Sequence, residues 1–197
     1  GTSCWTGAQL AGAFGLCNQM GLYKPVVEQP EYNFLTRDMV ETEIVRASHR
    51  FGIGIMTWSP LKNGILTGKY NQGVPEASRL ADPEIQWLGY ESELTPENIE
   101  KVRKLSEIAA YLGGSVAQLS IAWLLRLPEI SSVLLGAKKV GHLEENLKAM
   151  ELVKKLTPDV LERIEKIMDN DPNRDTVGPM KPDFLDADDV LRRPKVF

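Results

Sequence analysis

Cysteine and histidine are scarce in this 197-residue sequence, which contains two of each. Cys4 and Cys17 are spaced in a way that matches no zinc motif, and neither histidine lies near them. We therefore expect no metal site. Two cysteines are also too few for the disulfide framework of a small secreted domain, so we expect both to be reduced thiols.

Long apolar runs and a strong charge imbalance are also absent. No segment approaches the roughly 20 apolar residues of a membrane-spanning helix, and the opening GTSCWTG lacks the basic and apolar regions of a signal peptide. The net charge of -4 is mild, which argues against a nucleic-acid partner or an anionic membrane surface. We expect a cytoplasmic protein without membrane insertion.

Short apolar strands alternate with amphipathic helices along the chain. Capping signals predict where three helices begin: Thr6 with Gln9, Thr95 with Pro96, and Ser115 with Gln118. The predicted strands are residues 25–29, 53–58 and 131–135, with a strand end at 1–4. The predicted helices run from Thr6 to Gly21, from near Val40 to Gly52, from Thr95 to Gly113, from Ser115 to Leu127, and near 140–150 and 158–168.

This alternation predicts a parallel sheet built from right-handed crossovers. The number of strands leaves two interpretations open, since a closed (β/α)8 barrel needs about 250 residues. The chain is either a small open sheet or part of a barrel.

Polar and aromatic residues follow the predicted strands, at the edge where parallel sheets bind ligands. Trp58 and Ser59 follow one strand, Gln29 and Ser3 end two others, and a glycine-containing segment follows the last. An indole plane, an amide, a hydroxyl and glycine backbone suit a nicotinamide dinucleotide, with the cations Lys69 and Arg79 for its phosphates. Taken singly, Trp58 also fits a core position, and the two cations fit a solvated surface.

The motifs resemble those of the aldo-keto reductase family, nearest the branch that contains the voltage-gated potassium-channel β subunits. They are GTSxW at 1–5, EQPEYN at 28–33, MTWSPLxxGILTGKY at 56–70, SR at 78–79, SSVLLGA at 131–137 and EENL at 144–147. The resemblance implies NADPH bound across the mouth of a parallel (β/α)8 TIM barrel, without a G-x-G-x-x-G motif. It also implies that this chain is the C-terminal half, from the end of the fifth strand through the eighth.

The resemblance implies fifteen cofactor-binding residues. Ser3 and Gln29 hold the nicotinamide carboxamide, and Trp58 stacks under the ring. The loop residues for the pyrophosphate are Ser59, Pro60, Leu61, Gly64, Thr67 and Lys69, and Arg79 lies over the adenine side. The adenosine and its 2′-phosphate contact Gly136, Lys138, His142, Glu145 and Asn146.

Three positions depart from the family pattern. Cys4 stands where this branch has Arg and other members have Asn, which weakens one cofactor contact. His142 stands where Gln or Arg is usual, and Lys138 stands where Ser is common. Because Lys138 can pair with a 2′-phosphate, the sequence favours NADPH over NADH.

No catalytic residue is expected in this chain, because the family's proton-donating Tyr and its supporting Lys, Asp and His or Asn come from the first four strands. The five tyrosines of this sequence do not match that motif. Hydride transfer to a carbonyl needs a positioned acid, so we expect the chain to be inactive alone. Because Gly1 stands in place of Met, we expect a fragment or a processed product rather than a natural short protein.

The sequence leaves three functions open. The intact protein is an NADPH-dependent reductase of small aldehydes or ketones, a channel-regulatory subunit that senses redox state through the cofactor, or a non-catalytic half-barrel. We expect residues 1–168 to form the partial barrel and 169–197 a C-terminal tail. Expected partners are the missing N-terminal half, a second copy of the chain or an ion channel, because apolar strand edges at the seam need cover.

Overall fold

The protein has an α/β fold with a four-stranded parallel sheet, as seen in a computed structural model that describes residues 1–76, 78–84 and 90–173. The strands are β1 (Thr2–Ser3), β2 (Val27–Gln29), β3 (Gly54–Thr57) and β4 (Ile130–Val133). The α-helices of the described residues are α1 (Gly7–Met20), α2 (Val45–Phe51), α3 (Pro96–Tyr111), α4 (Val116–Leu124), α5 (Val140–Leu147), α6 (Ala149–Val153) and α7 (Pro158–Met168).

The strands lie side by side in chain order, β1-β2-β3-β4, and every pair is parallel. Ser3 is paired with Gln29, and Thr57 is paired with Val133, so the register brings the carboxyl ends of all four strands to one edge. A strand order that never reverses is the order of a (β/α) barrel, whereas a doubly wound sheet reverses at a switch point.

The predicted helix starts are confirmed. They could be predicted because each depends on hydrogen bonds between residues close in the sequence. Thr6 accepts from the Gln9 N–H at 3.2 Å, and Ser115 accepts from the Gln118 N–H at 3.3 Å. The Gln9 and Gln118 side chains complete both capping boxes by accepting from the N–H of the capping residue. The third helix begins at Pro96, as the sequence predicted.

Several predicted boundaries are wrong by a few residues. The helix predicted to reach Leu127 ends at Leu124, because Leu125 and the following residues turn toward β4. The helix predicted from Val40 starts with a π-helical segment, Val40–Ile44, before α2. The second strand begins at Val27 rather than residue 25, since Pro25 has no N–H to donate to the ladder.

Trp123 on α4 is at the centre of the core, as its place on an apolar helix face predicted. It is fully buried, and its ring lies 4.5 Å from the Phe34 ring and 5.3 Å from the Tyr32 ring, centroid to centroid. All nine residues of α4 are buried. The helix therefore acts as the central element against which the flanking helices and the segment after β2 pack.

The last helix is fastened to the body by a buried arginine. Arg37 donates to Glu165 on α7 at 2.6 Å and to Glu41 at 2.9 Å, and it also contacts Asn170 at 3.1 Å. Asn170 donates to the Phe34 carbonyl at 2.8 Å. The start of the predicted tail therefore contacts the body, while its residues 174–197 lie outside the described residues.

None of the helices in the described part of the chain is both long enough and apolar enough to cross a membrane.

Candidate functional site

Three predicted cofactor residues lie on neighbouring strand ends. Ser3 ends β1 and Gln29 ends β2, and the Ser3 hydroxyl donates to the Gln29 carbonyl at 2.8 Å. Trp58 follows β3, and its backbone N–H donates to the Pro30 carbonyl at 3.1 Å. The hydroxyl, the amide and the indole thus belong to one edge of the sheet, as the parallel fold predicted.

These side chains are accessible from outside the core. Ser3 is exposed, and Gln29 and Trp58 are half-buried. Trp58 therefore differs from Trp123, which is fully buried. The sequence left Trp58 as either a stacking plane for the cofactor or a core residue. Its partial exposure disfavours the core residue.

The loop after Trp58 has an unusual backbone. Ser59, Lys62, Asn63 and Gly64 have φ values of 55°, 43°, 53° and 94°, all in the left-handed region that non-glycine residues rarely adopt. Left-handed residues beside right-handed ones can form a concave nest of N–H groups for an anion, but here the Lys62 and Gly64 N–H groups donate to the Ser59 and Leu61 carbonyls, at 2.9 Å and 2.8 Å. We call residues 59–69 the phosphate loop, after the role that the family resemblance predicts for it.

Other predicted residues anchor the phosphate loop. Pro60 is buried and Leu61 is half-buried against the core. The Thr67 hydroxyl donates to the Gly64 carbonyl at 2.7 Å. These contacts stabilise the loop. The cofactor roles of Pro60, Leu61 and Thr67 stay predictions.

The structure brings Lys69 to the phosphate loop. A Cβ atom added to Gly64 would lie 2.6 Å from the Lys69 Nζ, so the absence of a side chain at Gly64 gives the ammonium its place. Lys69 is exposed, and its Nζ lies 4.9 Å from the centroid of the Tyr70 ring. An exposed cation beside a glycine suits a phosphate.

Arg79 is exposed at the start of a short 3-10 turn, Arg79–Ala81, that packs beside the phosphate loop. Leu80 is buried and fastens this turn. Arg79 is therefore near the loop but on a separate segment, and Ala77, two residues before it, lies outside the described residues.

The predicted adenosine residues follow β4 and continue onto α5. Four of them are exposed, whereas Asn146 is buried with 6% exposure. The exposed members are Gly136, Lys138, His142 and Glu145. The backbone carbonyl of Glu145 accepts from the Gln118 amide at 3.0 Å, so contact with the core fixes this part of α5.

A cavity of about 420 Å³ opens at the opposite, amino-terminal ends of the strands, between Val26, Gly54 and Ser131. The charged residue in its lining is Glu129, whose carboxylate lies 2.5 Å from His49 Nε2. Because a carboxylate repels phosphate, this cavity is a poorer site for a dinucleotide than the opposite edge.

Candidate metal ligands do not cluster within the described residues, in groups of three or more His, Cys, Asp or Glu. Cys4 and Cys17 are free thiols, the first exposed and the second half-buried.

Sequence reasoning assigned no role to two buried charged residues near the strand ends. Glu28 is fully buried, accepts from the Thr2 hydroxyl, and accepts from the Trp5 N–H at 2.9 Å. Lys62 is buried in the phosphate loop and ion-paired. Both lie within the recognised motifs, but only their partners distinguish them from solvated charges.

The tyrosines of the motifs are core residues. Tyr32 is fully buried and donates to Glu41 at 2.5 Å, and Tyr70 is buried with its hydroxyl donating to the Asn63 carbonyl at 3.3 Å. Burial raises the pKa of the Tyr32 hydroxyl, against the opposing charge of Arg126. Neither phenol is placed to donate a proton at the strand ends.

Comparison with known proteins agrees with the motifs. Residues 1–169 match the model of the aldo/keto reductase family, so the chain belongs to that family. Proteins named "Probable voltage-gated potassium channel subunit beta" in Oryza sativa subsp. japonica and Arabidopsis thaliana are 42% and 43% identical to it over 175 residues. Each match covers 88% of this chain and 53% of the relative. The chain thus spans about half the length of the curated relatives it matches, and the resemblance inferred from the motifs is confirmed.

Proposed function

We propose that the intact protein is an NADPH-dependent oxidoreductase of aldehyde or ketone carbonyls, and that this chain is its cofactor-binding half. The observation that carries the proposal is the shared edge on which Ser3, Gln29 and Trp58 meet a left-handed glycine loop. Membership of the aldo/keto reductase family supports an oxidoreductase. The site supports this class of reaction and not a particular substrate.

The residues present fit a nicotinamide dinucleotide. Ser3 and Gln29 offer a hydroxyl and an amide for the carboxamide, and the half-buried indole of Trp58 offers a plane for the ring. The phosphate loop offers the exposed cation Lys69, which lies against Gly64, for the pyrophosphate. When bound, the reduced cofactor supplies the hydride.

The other half of a TIM barrel would supply the remaining parts. The described sheet is open, since β1 and β4 each pair with one neighbour. The exposed side chains of Val140, Leu143 and Leu147 recur along α5 at helical spacing, which suits a seam covered by further chain. We place the catalytic acid in that half, and we propose a cytoplasmic protein that is inactive without it.

Titration of the intact protein with NADPH, followed by indole emission, tests cofactor binding. We expect saturable quenching that Trp58→Ala abolishes, while Trp5→Phe, a control at an exposed indole, retains it. Quenching that survives Trp58→Ala would contradict the stacking role. Trp5 and Trp87 would then be the next candidates, and Trp87 lies outside the described residues.

Comparison of NADPH with NADH tests the role of Lys138. Because a 2′-phosphate adds about two charges at neutral pH, Lys138→Ala should lower the NADPH affinity more than the NADH affinity. Lys139→Ala is the matched control, since Lys139 is the exposed neighbour. An unchanged affinity ratio in Lys138→Ala would refute this role.

A second candidate is a channel-regulatory subunit that binds NADPH as a redox sensor. It is favoured by the 42% and 43% identity to plant proteins named as channel β subunits. Rapid turnover of NADPH with small aldehydes would favour the reductase. Tight binding with little turnover, together with an altered current from a co-expressed potassium channel, would favour the regulator. NADPH binding without either outcome would indicate a non-catalytic half-barrel.

A further inference from the structure

Lys62 is a buried cation inside the phosphate loop. Its side chain is 8% exposed, and its Nζ lies 2.7 Å from Glu31 and 3.1 Å from Glu93, in both cases from a carboxylate oxygen. It also donates to the Thr36 hydroxyl at 3.0 Å. Three partners match the three donor hydrogens of an ammonium group, so this side chain is fully engaged.

The partners of Lys62 come from two other segments. Glu31 and Thr36 belong to the chain after β2, while Glu93 ends the 3-10 turn Tyr90–Glu93. Asn33 adds a parallel link, since its amide donates to Glu31 at 3.2 Å and to the Ser59 carbonyl at 3.1 Å. The loop is therefore held at both Ser59 and Lys62 by the segment that follows Gln29.

Lys62 and Lys69 differ in the charges that surround them. Lys62 contributes one positive charge beside the two carboxylates, so this cluster has a net negative charge and cannot itself attract a diphosphate. Lys69 is exposed and lies against Gly64. Of these two cations, Lys69 is thus the one suited to attract phosphate, and Lys62 has a different task.

We propose that Lys62 is a positioning residue: through Glu31 and Glu93 it holds the left-handed conformations at residues 59 and 62–64, so that the loop is preformed for the cofactor diphosphate. This inference rests on the proposed function. Non-glycine residues in the left-handed region persist only where their surroundings hold them, and the buried ion pairs at Lys62 supply such contacts.

The test uses the sign of an affinity change. Glu31→Gln and Glu93→Gln each remove a negative charge near the phosphates, so a purely electrostatic effect would tighten NADPH binding by the intact protein. Positioning predicts the opposite, a loss of about 10-fold, because each variant replaces an ion pair that holds the loop by a weaker hydrogen bond between the ammonium and a neutral amide. Glu76→Gln, at an exposed acid of the following segment, is the matched control and should not weaken binding.

Hydrogen exchange without cofactor supplies an independent measurement. Amides of residues 59–67 should exchange faster in Glu93→Gln than in the wild type or in Glu76→Gln. Unchanged exchange, or tighter NADPH binding by the Glu31 and Glu93 variants, would overturn the inference. Failure of the wild-type protein to bind NADPH would overturn the proposed function, while the exchange result would still decide whether Lys62 and its partners order the loop.

Discussion

Replacement of Arg37 by Met is expected to destabilise the protein severely. The guanidinium side chain is 4% exposed, and it donates two hydrogen bonds to Glu41 and two to Glu165. Burial alone would lower the pKa of Arg37, but the hydrogen bonds to Glu165 and Glu41 outweigh it and raise the pKa. The folded state therefore retains the cation.

Loss of this cation leaves the Glu41 carboxylate, which is 10% exposed, with Arg126 at 3.4 Å as its remaining cation. Removal of one partner of a buried pair typically costs about 3–5 kcal/mol. For a chain of this size, each kcal/mol lowers the melting temperature by about 2–4 °C. We thus expect a drop of about 6–20 °C, measured by circular dichroism during thermal unfolding.

The matched control is Lys166→Met, which breaks an ion pair with Glu162 on the same helix. Those two side chains are 73% and 65% exposed, so solvent screens the pair and the control should leave the melting temperature almost unchanged. Comparable losses for Arg37→Met and the control would show that the Arg37 cluster does not fasten α7 as argued. Both variants should also be measured by urea unfolding. If the free energy of unfolding depends equally on urea concentration in both, the two variants expose the same surface when they unfold.

Two further predictions concern Tyr32 and Gly64. Because the pKa of Tyr32 is raised in the folded state, the unfolded chain loses this proton first, near pH 10, and stability should fall as the pH rises above that value. Tyr32→Phe should reduce the fall in urea midpoint between about pH 9 and pH 11. An unchanged fall would show that the Tyr32 hydroxyl does not cause the loss of stability. Gly64→Ala should cost about 1–3 kcal/mol because of its positive φ, and should displace Lys69 and weaken NADPH binding. Retained stability and affinity in Gly64→Ala would contradict the geometry of the phosphate loop.

Much of the fold could be predicted because its signals are local. The capping residues Thr6 and Ser115 fix helix starts through hydrogen bonds that span three residues. The helix ends at Gly21 and Gly52 also follow from local backbone, since both glycines adopt left-handed φ values of 65° and 70°. The π-helical segment Val40–Ile44 has no such sequence signal, and it was predicted as ordinary helix.

The candidate site was predictable only in part. The edge formed by Ser3, Gln29 and Trp58 follows from parallel strands and from motif order. The partners of Arg37 do not, since Glu165 lies 128 residues further along the chain and no periodic pattern connects them. A charged residue that is destined for burial resembles a solvated one until its partner is known, which is why the roles of Arg37 and Lys62 were missed.

The segment after β2 links the stability of the fold to the shape of the candidate site. Glu31 and Asn33 contact the phosphate loop, and Arg37, a few residues further on, fastens α7. The left-handed conformations of the loop cost about 1–3 kcal/mol at each non-glycine residue, and a free segment could not maintain them. Because Arg37 holds one end of this segment and the Gln29 strand holds the other, the contacts to the loop start from a rigid support. The buried arginine therefore supports the conformation of the loop indirectly, although it lies outside the candidate site.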